Sequence, residues 1–249
     1  AGKLFKIPTF VLQHGMAGYE LGFYPFSADY FIAFGEESKH RLKNFGLPEE
    51  KVFALGHPQF EKYLNQRTKR TKIISYITTT ARSTDFLPEV DPSKKNQKDI
   101  LRIIFRAMKN FPKYKLIVKG REGWDMNNLA KQIAKEENFH NFEVVEKTDS
   151  SKLLRNSDVL LVNNSTMVLD ALLLKKDVIS VTCKGISHFY NSPFTKPIKK
   201  VFDEKQLGKE IRKCLGRNKN YPNFLEKRLP KEWGGSSKKI SEFISSKIG

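Results

Sequence analysis

The chain has 249 residues, enough for one large domain or for one domain and part of another. Lysine and arginine total 45 against 27 acidic residues, and the resulting net charge of +18 attracts anions such as phosphorylated ligands or acidic lipids. The sequence has no aromatic RNA-binding pattern and no zinc-finger spacing, which excludes the common modules of specific nucleic-acid binding. No apolar run has the length of a membrane span. The cysteines, Cys183 and Cys214, show neither metal nor redox spacing, so we expect a reduced, cytoplasmic setting.

The first 70 residues have the pattern of the last part of an α/β domain. Three apolar runs predict buried strands, at 7–13, 28–34 and 52–55. The segment 36–45 predicts a helix that ends at Gly46. Three strands are few for an independent domain, and the chain opens without methionine, so we expect a fragment whose domain begins upstream. The polar, basic segment 65–72 is the candidate linker.

Residues 71–249 alternate strands and helices, which predicts a doubly wound parallel sheet, a Rossmann-like α/β fold. Apolar runs predict strands at 73–77, 116–118, 142–145, 159–162 and 178–181. Amphipathic segments predict helices at 99–111, 127–138, 150–156, 206–215 and 236–248. The stretch 78–98 reads as a long polar loop, which inside a compact domain is usually functional. We therefore divide the chain into units 1–70 and 71–249.

The most informative stretch runs from Asp158 to Val181 and predicts a buried strand, a polar turn, a helix and a second strand. The turn supplies the helix N-cap just past the carboxyl end of a strand, where open parallel sheets bind ligands. Asn163 opens this turn. Backbone N–H groups and the helix dipole there favour a phosphate, so we predict binding by Asn164, Ser165 and Thr166. Asp170, one turn later, would repel a phosphate and suits the hydroxyls of a ribose or sugar. The pattern indicates a nucleotide-sugar site, with an ordinary capped helix as the alternative.

Polar residues also follow the first two strands of the second unit and should lie at the same sheet edge. The first group contains Thr78, Thr79, Thr80 and Arg82, and the second contains Lys119 and Arg121. Hydroxyls, backbone N–H groups, a guanidinium and an ammonium suit an anion such as a diphosphate. Solvated polar loops are the alternative.

Several motifs resemble the B-type glycosyltransferases, which have two Rossmann-like domains. They are 11–15 (Val-Leu-Gln-His-Gly), 36–61 with its Gly-His-Pro at 56–58, 164–172, and 231–244. The nearest resemblance is to bacterial transferases of capsule, surface-polysaccharide and teichoic-acid synthesis, which are CDP-glycerol glycerophosphotransferase-like. The non-hydrolysing UDP-N-acetylglucosamine 2-epimerases share the fold. The chain departs from these transferases at Gln59, where an arginine is usual, and at 119–122, where many carry Lys/Arg-x-His-Pro. UDP- and CDP-linked donors therefore both stay open.

The resemblance implies a transferase that moves a glycosyl or polyol-phosphate unit from a nucleotide-diphosphate donor to a hydroxyl of a polysaccharide or lipid-linked acceptor. It assigns His14, followed by Gly15, as the base toward that hydroxyl, and His57 as a second catalytic histidine facing the nucleotide. A structural histidine is the alternative for each. The donor would lie between the domains, where cationic residues stabilise the leaving phosphate without a metal or other cofactor. The sequence indeed has no Asp-x-Asp pair.

Two other classes stay open. One is a 2-epimerase acting on a sugar nucleotide, and the other is a non-catalytic module that binds nucleotides or polyanions. The basic charge also favours peripheral contact with the anionic inner face of a membrane.

Overall fold

The computed structural model describes residues 5–14, 26–63, 70–78, 94–120, 126–163, 165–183, 198–216 and 234–248. Its contacts form two compact units, one of residues 1–66 with 226–249 and one of residues 67–225. The passage from the first unit to the second falls in the candidate linker. The last helix, however, belongs to the first unit, whereas the division drawn from the sequence placed everything after residue 70 in the second.

The first unit has a parallel sheet of order β1-β2-β3. Its strands are β1 (Phe10–Leu12), β2 (Tyr30–Ala33) and β3 (Val52–Ala54). Its helices are α1 (Glu36–Asn44), α2 (Pro58–Glu61) and α8 (Ser236–Ile248), with a 3-10 turn at Glu49–Lys51. Helix α1 covers one face of the sheet through a buried cluster made of Phe31, Ala33, Leu42, Leu47 and Val52. The helix ends where predicted, because Gly46 takes the left-handed conformation with φ 88°.

Helix α8 covers the other face of this sheet. The Phe243 ring lies 4.4 Å from that of Phe53 and 5.6 Å from that of Tyr30, between ring centroids. At the start of the helix, the Ser237 N–H and hydroxyl donate to the two oxygens of Glu61 at 2.8 and 2.7 Å. These contacts explain why the last helix joins the first unit: its apolar stripe is buried there.

The second unit has a six-stranded sheet of order β6-β5-β4-β7-β8-β9, in which every pair is parallel. The strands are β4 (Ile73–Ile77), β5 (Lys115–Lys119), β6 (Phe142–Val145), β7 (Val159–Val162), β8 (Asp177–Val181) and β9 (Lys199–Val201). The helices are α3 (Lys94–Met108), α4 (Met126–Glu136), α5 (Ser150–Arg155), α6 (Met167–Leu173) and α7 (Glu204–Gly216). The chain runs outward from β4 to one edge, returns to β7 and runs to the other. This confirms the doubly wound, Rossmann-like α/β fold.

Two elements of the second unit differ from the prediction. Helix α3 begins at Lys94, five residues before the predicted start at Asp99, so the end of the expected loop 78–98 is helical. Its first turn is polar, and an apolar periodicity therefore cannot reveal it. Strand β9 was not predicted, because only Val201 of its three residues is buried. Two exposed lysines on a short outer strand are a common protection of a sheet edge.

Hydrogen bonds hold the amino ends of β4 and β7 together. The Asp158 carboxylate accepts from the backbone N–H of Thr71 at 3.0 Å and of Lys72 at 2.9 Å. The Ser75 and Ser157 hydroxyls lie 2.7 Å apart and are buried. These bonds fix the two strands relative to each other at their amino ends. They therefore also fix the positions at which the chain leaves the carboxyl ends.

A buried lysine completes this arrangement. Lys176 is 5% exposed, and its Nζ donates to the carbonyls of Arg155 at 2.7 Å and Ser157 at 2.6 Å. The ammonium group thereby binds the carbonyl groups at the end of α5 and in the turn that leads into β7. Lys176, just beyond the end of α6, thereby supports β7, the strand that leads to the candidate site.

Candidate functional site

The strand order reverses between β4 and β7, and ligands of doubly wound sheets bind at the carboxyl end of such a reversal. In the register of this pair, Ile77 lies opposite Val162, so the chain leaves both strands at the same level. Thr78 follows one strand and Asn163 follows the other. The segments that the sequence predicted to bind phosphate and hydroxyls therefore emerge side by side.

Thr78 and Lys119 lie on the β4–β5 side of the reversal. The N–H and hydroxyl of Thr78 both donate to the Lys119 carbonyl at 3.1 Å. The half-exposed side chain of Lys119 turns along the edge, where Nζ lies 3.3 Å from the Glu146 carbonyl and 3.5 Å from that of Gly120. A Cβ on Gly120 would come 3.1 Å from the Met126 Cβ, so glycine allows α4 to begin this close to the strand. The structure thus places a cation at the predicted edge.

Ser165 and Thr166 lie on the β7 side. Ser165 is half-buried, and its Oγ accepts from the Met167 N–H at 3.3 Å, so it acts as the predicted cap at the start of α6. Thr166 is exposed and makes no side-chain cap bond. The Met167 N–H already donates to the serine hydroxyl, so an anion at this turn would compete with Ser165 for that donor.

Asp170 lies in the first turn of α6, with 6% of its surface exposed. A carboxylate buried this deeply costs free energy unless its surroundings supply hydrogen bonds or a ligand does so. Thr166, one turn before it, is by contrast exposed. The Asp170 side chain is thus buried one turn after the residues that begin α6.

His14 lies at the carboxyl end of β1 in the first unit and is exposed. The residue before it was not predicted to matter. Gln13 is fully buried, its N–H donates to the Ile32 carbonyl at 2.9 Å, and its Oε1 accepts from the Phe34 N–H at 2.8 Å. Gln13 thus ties the ends of β1 and β2 together and positions the backbone that presents His14. Strand periodicity could not reveal this contact, because it does not show where a buried amide finds its partner.

His57 caps α2. Its Nδ1 accepts from the Gln59 N–H at 3.1 Å, and its ring contacts those of Phe34 and Phe60 at 5.3 and 5.4 Å between centroids. Burial lowers the pKa of His57, so the ring is neutral at neutral pH. The hydrogen-bond network assigns its proton to Nε2, because Nδ1 is an acceptor. The Nε2 nitrogen is then a donor rather than a base, and this geometry favours the structural alternative. Its catalytic role stays a prediction.

The remaining predicted residues lie outside the described residues: Gly15, Thr79, Thr80, Arg82, Arg121 and Asn164. The structure thus brings Thr78, Lys119, Ser165, Thr166 and Asp170 to one edge of the second unit. His14 and His57 follow strands β1 and β3 of the first. None of the helices in the described ranges is both long and apolar enough to cross a membrane.

Comparison of the sequence with protein-family models and with curated proteins gives no match. Solved structures do match. UDP-GlcNAc 2-epimerase from Neisseria meningitidis, bound to UDP-GlcNAc, aligns with a TM-score of 0.64 and 16% identity over 98% of this chain and 71% of the epimerase. S. aureus MnaA, in a co-structure with UDP, aligns with a TM-score of 0.66 and 14% identity over 98% of this chain and 70% of its own.

The wall teichoic acid polymerase TagF with CDPG aligns with a TM-score of 0.57 and 16% identity over 89% of this chain and 58% of the polymerase. At such identities a likeness establishes the fold alone. The likeness therefore confirms the Rossmann-like α/β fold that the sequence pattern predicted.

Proposed function

We propose that this chain is an enzyme that binds a nucleotide-activated sugar or polyol at the carboxyl edge of the six-stranded sheet. It would transfer the glycosyl or polyol-phosphate unit to a hydroxyl of a surface polysaccharide or lipid-linked acceptor. The observation that carries the proposal is the reversal between β4 and β7, flanked by Lys119 on one side and by Ser165 and Asp170 on the other. The structural neighbours with this fold were solved with UDP-GlcNAc, UDP or CDPG, which supports a ligand of this class.

The chemistry of the edge supports a diphosphate leaving group. Negative charge develops on that group as the donor bond breaks, and a fixed cation stabilises it. The Lys119 ammonium has three N–H donors, of which two are directed at the carbonyls of Gly120 and Glu146. The third is available to a phosphate oxygen. The carboxylate of Asp170 would accept hydrogen bonds from neutral hydroxyls of the ligand.

His14 is our candidate for the base toward the acceptor hydroxyl. It is exposed, and an imidazole can accept a proton from an alcohol near neutral pH. The substitution His14→Gln should abolish transfer while donor affinity in the same preparation is unchanged. Equal loss of binding and transfer would mean that His14 contributes to donor binding or to folding instead.

A second candidate is a sugar-nucleotide epimerase, because UDP-GlcNAc 2-epimerases among the structural neighbours align over 98% of this chain. The two reactions differ in their need for an acceptor. Epimerisation of UDP-GlcNAc without any acceptor would select the epimerase, whereas product that appears only with a polyol or saccharide acceptor would select the transferase.

Calorimetric titration with UDP-GlcNAc, CDP-glycerol and free polyanions tests the binding site itself. We expect Asp170→Asn to weaken nucleotide binding at least about tenfold, since a ligand hydroxyl would lose a charged acceptor. The matched control is Asp177→Asn, at the amino end of β8 and the opposite edge of the sheet. Tight polyanion binding without nucleotide binding would support the non-catalytic module instead. Unchanged nucleotide affinity in the folded Asp170 variant would remove the proposed hydroxyl contact.

A further inference from the structure

Three side-chain oxygens of the second unit are buried and make no hydrogen bond in the described part of the chain: Tyr76 Oη, Asn163 Oδ1 and Ser180 Oγ. Tyr76 and Asn163 have no exposed surface, and Ser180 is 4% exposed. Folded proteins pair nearly all buried polar groups, because an unpaired one loses its water without compensation. Such atoms therefore mark places where a ligand or a water supplies the missing partner.

Two of these oxygens lie at the reversal of the strand order. Tyr76 belongs to the buried cluster under α3 and lies opposite Leu161 in the register of β4 and β7. Asn163 follows Leu161 by two residues and therefore continues the same face of the sheet. Ser180 lies between Ile179 and Val181, which face the α3 side, so its hydroxyl faces the other side. We call Tyr76 and Asn163 the edge pair. Ser180, whose buried hydroxyl lies on the other face of the sheet, serves as the control for Tyr76.

The orientation of the Asn163 amide is determined by its neighbour. Its Nδ2 donates to the Val181 carbonyl at 3.3 Å. The flipped amide would set two oxygens against each other, so the carbonyl oxygen Oδ1 is the atom without a partner. The edge pair thus offers one pure acceptor and one hydroxyl.

The Tyr76 hydroxyl keeps its proton. Burial, and to a smaller extent the nearby Cys183, raise its pKa far above the ordinary range. It can therefore donate to a ligand, and it can also accept. Hydroxyl chemistry suits both members of the edge pair, since a hydroxyl group can accept from Tyr76 and can donate to Asn163. A phosphate has no hydrogen for Oδ1 and would be repelled by it.

We propose that Tyr76 and Asn163 form a hydroxyl-binding subsite for the pentose or sugar of the nucleotide-activated ligand. The subsite rests on the proposed function and deepens it, because it separates the hydroxyl-bearing part of the ligand from the phosphates near Lys119 and Ser165. Both atoms are covered in the ligand-free chain, so the ligand enters with a shift of the residues around them. Cys183 borders this place and is half-exposed, with its Sγ 3.7 Å from the Asn96 carbonyl.

The test compares Tyr76→Phe with Ser180→Ala, since each removes one buried hydroxyl without a partner. Neither should lower the melting temperature, because no protein hydrogen bond is lost. Binding is measured with UDP and UDP-GlcNAc, or with CDP and CDP-glycerol if wild type binds that pair. We expect Tyr76→Phe to weaken binding roughly tenfold and Ser180→Ala to leave it unchanged. A loss of nucleotide affinity in Tyr76→Phe but not in Ser180→Ala would support the subsite, because each substitution removes one buried hydroxyl.

The pattern of loss identifies the hydroxyl. An equal loss for the free nucleotide and its conjugate indicates the pentose, and a loss confined to the conjugate indicates the sugar or polyol. In the first case, the 2′-deoxy or 3′-deoxy nucleotide should bind wild type at least as weakly as Tyr76→Phe binds the normal nucleotide, because it also loses its contact with Asn163. Tyr76→Phe should then not weaken the binding of that deoxy nucleotide any further. Unchanged affinity of the variant, with binding by wild type intact, overturns the subsite and leaves a bound water as the partner. A wild type that binds none of these nucleotides overturns the proposed function, and the subsite with it.

Discussion

Replacing Lys176 by methionine tests whether the buried ammonium supports β7. Methionine retains most of the apolar stem but removes the donor to the Arg155 and Ser157 carbonyls at 2.7 and 2.6 Å. A hydrogen bond that involves a charged group contributes about 1.5–3 kcal/mol, so two bonds at the lower limit give about 3 kcal/mol. Because Lys176 is only 5% exposed, water cannot replace the lost donor. A loss of this size is a large part of a typical unfolding free energy of about 5–15 kcal/mol.

Urea unfolding followed by circular dichroism measures this loss, and the melting temperature should fall by roughly 6–12 °C. The control is Lys175→Met, because Lys175 is exposed at the neighbouring position and the substitution should stay within about 0.5 kcal/mol. The slope of free energy against urea must be the same in all three proteins for the comparison to hold. If the two variants lose the same small amount, below about 1 kcal/mol, the assignment of a supporting role to Lys176 is refuted.

Two predictions concern the first unit. His57→Asn keeps an acceptor for the Gln59 N–H but cannot titrate. The pKa of His57 is lowered in the folded chain, so its contribution to stability is complete above the unfolded value of about 6.5 and is lost as the pH falls through the folded value. Wild type should therefore lose unfolding free energy faster than the variant between about pH 7.5 and 5.5, and parallel curves would contradict this account. Glu61→Gln should increase hydrogen exchange in the first turn of α8, because the hydrogen bonds from Ser237 that lower the pKa of Glu61 are weakened. Glu50→Gln is the exposed control, and unchanged protection of α8 would show that its packing alone holds it.

Local patterns predicted most of the second unit correctly. The apolar run of β7 is buried at all four positions, and the Ser165 cap is formed, because both depend on residues close together in the sequence. The order of the strands depends on pairings between residues far apart along the chain. The pairing of β4 with β7 across more than 80 residues, on which the location of the site depends, could be expected only from the fold class.

The missed contacts share a physical reason. Tyr76 reads as an apolar strand residue, and only the folded chain shows that its hydroxyl has no partner among the described residues. Lys176 reads as a solvated charge, since lysine is rarely buried, and the carbonyls it binds become available only when α5 and β7 meet. The Gln13 amide likewise bridges two strand ends. For Lys176 and Gln13 the partner is a backbone atom of another element, which the residue types do not reveal.

The placement of α8 has a consequence for biosynthesis. The first unit is interrupted after residue 66 and resumes at residue 226, so the second unit is an insertion in it. During synthesis on the ribosome, residues 67–225 can form their sheet before Phe243 has been added to the chain. Until then, Tyr30 and Phe53 lack the ring that packs against them in the folded unit. Of these two units, the one that starts first is therefore completed second, and a nascent chain released before α8 is synthesised would expose these aromatic rings to chaperones and proteases.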